Sequence, residues 1–218
     1  MLLSWLRPNS FKTPHIIGLK ITTHVVCLYL LIEAFYLAFT DQIGGDPVQS
    51  LTHFTGLGGL ILMLITLAVT PLTRYLRQGQ LMRMRRLLGL YAFAYACCHI
   101  YVYLAYDLIF NWSLLVEEII KRPYITVGFV AFIILTALAI TSIPSIMKKM
   151  GKRWKTLHNF IYLAAILICV HFLWSVKADI TEPLLYMGIL AVMLFFRWEK
   201  LMRYWRKITA SSTGSVSS

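Results

Sequence analysis

The chain has 218 residues, 59% hydrophobic and 14% charged, with a net charge of +12 and a mean hydropathy of +0.70. That composition excludes a water-soluble globule and places the chain in the membrane class. The positive charge does not indicate nucleic acid, because the basic residues gather in short loops beside apolar stretches.

A membrane span needs about 20 mostly apolar residues. Six stretches meet that requirement, near 21–40, 52–72, 87–106, 124–143, 157–176 and 183–198. The expected fold is therefore all-α, an integral membrane bundle of six transmembrane helices occupying residues 21–207. A cytoplasmic leader, 1–20, precedes it and a Ser/Thr/Gly-rich tail, 208–218, expected to be disordered, follows. The first apolar run is span-length and followed by more spans, so it reads as a span rather than a cleavable signal. The sixth stretch is the shortest, and the basic aromatic segment after it can snorkel to the interface. Turn residues lie around Gly44, Gly45 and Pro47 and around Arg77, Gln78 and Gly79, while Pro71, Pro123, Pro144 and Pro183 are expected at span ends. No solenoid-type repeat is apparent.

Alternating the loops places 18 of the 21 basic residues on one side, leaving Lys121, Arg122 and Lys177 opposite. By the positive-inside rule both termini are cytoplasmic. Seven acids, Asp41, Asp46, Asp107, Glu117, Glu118, Asp179 and Glu182, fall on the outer side, a face attractive to a cationic partner. Cys27, Cys97, Cys98 and Cys169 lie inside spans without zinc-ligand spacing, which favours buried free thiols over metal ligation.

The intramembrane histidines carry the functional reading, since an imidazole inside hydrocarbon is costly unless something binds it. His99 lies 13 residues past Arg86 and His171 lies 16 past Lys155, roughly 20 and 24 Å from the basic boundary at 1.5 Å per residue. Both sit at similar height in the outer half, so a porphyrin between the third and fifth spans can take one axial nitrogen from each. His158 is about 5 Å inside the basic boundary, in a second layer. His24, about 6 Å deep in the first span, is the other histidine at that level. It is open to two readings, an inner ligand or a hydrogen-bonding partner of a neighbouring helix. In a straight helix His158 and His171 point about 140° apart, so one outer heme is better supported than two. Arg83, Arg85 and Arg86 suit a heme propionate or a flavin phosphate.

Other residues have structural readings. His53 lies near the outer surface, and His15 follows Pro14 in the leader. Glu33 either accepts a hydrogen bond from a ligand, conducts protons or is a protonated structural carboxyl. Gly56, Gly58 and Gly59 permit close approach of a helix or a flat cofactor. Tyr91, Phe93, Tyr95, Tyr101, Tyr103 and Tyr106 read as packing, and Trp112, Trp154 and Trp174 as interfacial belts.

Arg85-Arg86-Leu87-Leu88-Gly89-Leu90 leading to Cys98-His99, Gly151-Lys152-Arg153-Trp154 leading to Leu157-His158-Asn159-Phe160, and His171-Phe172-Leu173-Trp174 resemble the MsrQ (YedZ) family, as does Asp46-Pro47 followed by His53-Phe54-Thr55-Gly56. These are heme-binding membrane subunits of the bacterial periplasmic protein-methionine-sulfoxide reductase system, short relatives of the ferric reductase-like transmembrane cytochromes b. The resemblance extends to about Lys207. It implies a multi-pass protein of the bacterial inner membrane that binds heme b and FMN. It also implies that the chain delivers electrons to the periplasmic molybdopterin enzyme MsrP. Heme-iron ligation is carried onto His99, His171 and His158. The implied donor is the quinone pool or a cytosolic flavin reductase, since no flavin and nicotinamide domain is apparent. Other contacts would be with membrane lipid and not nucleic acid, and substrate chemistry would lie in the partner. Two alternatives use the same histidines, a stand-alone ferric or cupric reductase and a histidine-lined metal or proton transporter.

Overall fold

The computed structural model describes residues 13–197, which are helical throughout apart from short connections. In chain order the helices are α1 (Thr13–Phe39), α2 (Pro47–Tyr75), α3 (Arg85–Val102), α4 (Trp112–Lys121), α5 (Pro123–Ile140), α6 (Pro144–Met150), α7 (Lys152–His158), α8 (Ile161–Ser175) and α9 (Thr181–Phe195). A 3-10 turn over Gly79–Met84 leads into α3, and a π turn over Tyr103–Asp107 ends it. Five segments are long and apolar enough to cross a membrane: α1, α2, Gly79–Asp107, α5, and α7 with α8 together. The sixth expected span appears as α9, an apolar helix of only 15 residues. The leader up to residue 12, the segment after Arg197 and the tail lie outside the described residues.

Two antiparallel pairs form the frame. α2 packs along α3, α5 packs along α8, and contacts of α3 with α5 and of α2 with α8 join them. α2 is central, burying Leu60, Met63, Leu64 and Leu67. Its buried threonines return their hydroxyls to the carbonyl four residues back, Thr55 to Leu51, Thr66 to Leu62 and Thr73 to Val69, so they add no unpaired polar group to the core. α1 lies at the edge, with Ile21, Val25, Tyr29, Ile32 and Tyr36 exposed at helical spacing, the pattern of a lipid-facing stripe.

Local chemistry sets the helix ends. Gly44 and Gly45, both at positive φ, turn the chain into the Asp46 cap, whose carboxylate accepts the Val48 and Gln49 N–H groups at 2.9 and 3.2 Å. Pro47 occupies the first helical position. Pro123 and Pro144 likewise begin α5 and α6, and Pro183 lies in the first turn of α9. Pro71 departs from expectation, because it sits inside α2 rather than at its end. Its missing N–H leaves the Leu67 carbonyl without its helical donor. The Arg197 guanidinium supplies one from the end of α9 at 3.1 Å, while also bonding the Tyr162 hydroxyl and lying over that ring.

The segment expected as one straight helix over 157–176 is interrupted. Asn159 and Phe160 bond to the carbonyls of Thr156 and Leu157, three residues back, so the chain tightens between α7 and α8. The 140° separation calculated for a straight helix therefore does not describe His158 and His171.

Candidate cofactor site

His99 on α3 and His171 on α8 meet at the junction of the two helix pairs. Their ring centroids are 6.2 Å apart with planes at 86°. Each Nδ1 faces a backbone carbonyl, His99 that of Thr52 at 3.0 Å and His171 that of Tyr124 at 2.7 Å. A carbonyl only accepts, so Nδ1–H is the donor in both rings and Nε2 keeps its lone pair. Metal-bound histidines have this arrangement, the outer nitrogen fixed by a backbone or carboxylate acceptor and the other left for the metal. The separation also fits. Two metal–imidazole bonds of about 2 Å each leave about 2 Å of the gap, roughly one ring radius at either end. The Thr52 hydroxyl is buried without a hydrogen-bond partner beside the His99 contact. The pair therefore matches the ligand set expected for an axially bound heme iron.

His158 is held differently. The Thr141 hydroxyl donates to Ala137 at 2.7 Å, so it accepts from His158 Nε2 at 3.1 Å. The Trp154 ring stacks on the imidazole at 4.0 Å between centroids and donates its N–H to the Thr141 carbonyl. The structure thus brings together two of the three expected ligands and gives the third the opposite tautomer. His24 Nδ1 lies 2.6 Å from the Tyr91 hydroxyl, with the rings edge to face, and no hydrogen bond or ring contact joins it to His158. Glu33 accepts from Tyr29, and His53 faces Glu182 at 3.5 Å and packs against Phe172.

The three expected arginines separate. Arg83 bonds Gln80 and Arg86 is exposed. Arg85 is partly buried, its Nε has no partner, and it lies within electrostatic reach of His158, Arg197 and Tyr162. An unpaired guanidinium nitrogen with a second guanidinium nearby suits an anionic group. The signals missed in the sequence were Tyr124, whose carbonyl acts regardless of its side chain, Thr141, and Gly128, an isolated glycine in an apolar run.

Residues 55–169 match the family described as the ferric reductase like transmembrane component. The chain is also 47% identical over 189 residues to the protein-methionine-sulfoxide reductase heme-binding subunit MsrQ of Cronobacter sakazakii, covering 86% of this chain and 94% of that one. The chain belongs to the MsrQ branch of the ferric reductase-like transmembrane family. The corresponding subunit of Klebsiella pneumoniae is 42% identical over 91% of this chain and 98% of its own. That of Xanthomonas axonopodis pv. citri is 49% identical over 80% and 77%. Family and apolar helices together make this a multi-pass membrane protein. The matched segment runs from α2 into α8 and so contains the central helix pairs and His99, and it ends two residues before His171.

Proposed function

We propose that the chain is a membrane electron-transfer subunit that holds one heme b between His99 and His171. The observation that carries this reading is the facing pair itself, with both Nδ1 atoms committed to backbone carbonyls and both Nε2 atoms left for iron. Heme b would supply the one-electron carrier, its potential tuned by axial ligands and apolar surroundings. The protein holds the rings at fixed height, keeps water from them with the packed faces of α2, α3, α5 and α8, and does no chemistry on methionine sulfoxide.

Both termini are assigned to the cytoplasm on the basic-loop asymmetry. The electron acceptor is then a periplasmic molybdopterin enzyme of the MsrP type, a reading supported by the relatives' description as reductase subunits. A quinol or a cytosolic flavin reductase would deliver electrons at the basic end. Arg85, with its unpaired Nε, is the residue that would receive an FMN phosphate or a propionate there. His158 would act as an iron ligand through Nε2 only after giving up its bond to Thr141.

The test is the oxidised and reduced visible spectrum of the purified protein with heme quantified per chain. Sharp b-type bands at near one heme are expected. Colourless protein from heme-sufficient cells would overturn the reading in favour of a transporter. Reduction of external ferric or cupric ions without a partner enzyme would instead favour the stand-alone reductase.

A further inference from the structure

The two halves of the site are built alike. In each, 47 residues separate the carbonyl from the histidine that donates to it. The same 72-residue step carries Thr52 to Tyr124, Gly56 to Gly128 and His99 to His171. The pairs α2–α3 and α5–α8 are thus two versions of one ligand cradle, one glycine in each.

The glycines matter because of where they fall. In an α-helix the carbonyl of residue i accepts the N–H of residue i+4, so Thr52 is the helical partner of Gly56 and Tyr124 that of Gly128. Each imidazole adds a further donor to a carbonyl already in use, that of Thr52 also being met by the Thr55 hydroxyl at 3.1 Å, and must approach over the residue four further on. A Cβ at Gly56 would lie 3.0 Å from His99 Nδ1 and 3.1 Å from its Cε1. At Gly128 it would lie 2.7 Å from His171 Nδ1 and 2.9 Å from Cε1. The second clash cannot be accommodated without moving the ring, and the first leaves it almost no room.

We infer that Gly56 and Gly128 are positioning residues for the two axial ligands, each admitting an imidazole to the carbonyl four residues earlier and so fixing its tautomer and ring plane. The inference rests on the heme reading. Other glycines lack this role: a Cβ at Gly59 would make ordinary contact with the Ala92 carbonyl and Tyr95, and one at Gly188 would meet nothing.

The experiment compares full-length wild type with Gly56→Ala, Gly128→Ala, Gly59→Ala and Gly188→Ala in detergent. Alanine is the better helix former, so the chain should fold in every variant, as helicity and elution would verify. Heme per chain, the low-spin ferric EPR signal and the midpoint potential are read for each. Wild type should give the strongly anisotropic signal of perpendicular imidazoles. Gly56→Ala and Gly128→Ala should either alter signal and potential or lose heme affinity by about 10- to 100-fold, as for other changes beyond the ligands themselves. Gly59→Ala and Gly188→Ala should match wild type. The inference fails if the first two are indistinguishable from wild type in all three readouts, or if Gly59→Ala shifts them as strongly, since the effect would then be general packing. Wild type without heme overturns the proposed function itself, and the cradle with it.

Discussion

Removing either imidazole of the facing pair leaves the other without a counterpart across the 6.2 Å gap. His99→Ala and His171→Ala are each expected to abolish the same heme, whereas His158→Ala should leave it in place because that ring is bonded to Thr141. Heme per chain and the reduced spectrum check this, and retention of the heme in either of the first two variants would refute the pairing. Arg197 offers a second residue-scale test. Because Pro71 cannot donate to Leu67, Arg197→Ala strands a carbonyl and should cost about 1–3 kcal/mol. In a Pro71→Ala background the restored N–H fills that role, so the cost should shrink. A double-mutant cycle on thermal unfolding showing no coupling would contradict the assignment. The histidines were legible in the sequence because imidazoles stand out in apolar runs. Their carbonyl partners were not, since any residue has a carbonyl and only the helix register selects which one is met.

Five of the six expected spans were legible in position and order, whereas the short helices α4 and α6 were not anticipated and the element ends were less clear. The turn around Gly44, Gly45 and Pro47 was legible, but the Asp46 cap was not, and α2 begins at Pro47 rather than near residue 52. Asp46→Ala should lower thermal stability by about 1 kcal/mol, and an unchanged melting curve would mean that packing alone sets this end. Pro71 misled because a proline in a long helix is tolerated when another group satisfies the freed carbonyl, and that group lies 130 residues away. The break after His158 was hidden because Asn159 and Phe160 lie in an otherwise helical pattern. At the start of α9, hydrogen bonds from the Thr181 side chain and backbone N–H hold the Asp179 carboxyl below the usual range. A lowered folded value means the contact stabilises above the unfolded carboxylate range and is lost as pH falls through the lowered one. The protection of the Thr181 amide, its exchange taken relative to the intrinsic rate at each pH, should therefore fall across that acid window in wild type and stay flat in Asp179→Ala.

At the scale of the whole molecule, ion pairing among the described residues redistributes the strength of the acids expected on the outer side. Glu117 pairs with Lys121 and Glu118 with Arg122 along α4, so that helix presents neutralised pairs rather than an acidic ridge. Among the described residues, Asp41, Asp107 and Asp179 form no ion pair, and Asp107 lies within electrostatic reach of Asp46. A cationic partner would thus be steered toward the α1–α2 turn and the end of α3. Steering of this kind accelerates association by about tenfold or more and is screened by salt. Electron delivery to the partner, followed by stopped flow at limiting concentration, should slow as salt rises, and Asp41→Asn should flatten that dependence. Asp41 has φ 56, a conformation asparagine adopts readily, so the substitution removes charge without disturbing the turn. A salt-independent rate in wild type would show that docking relies on apolar contact, and the exposed Ile109, Phe110 and Trp112 beside α4 would become the surface to test.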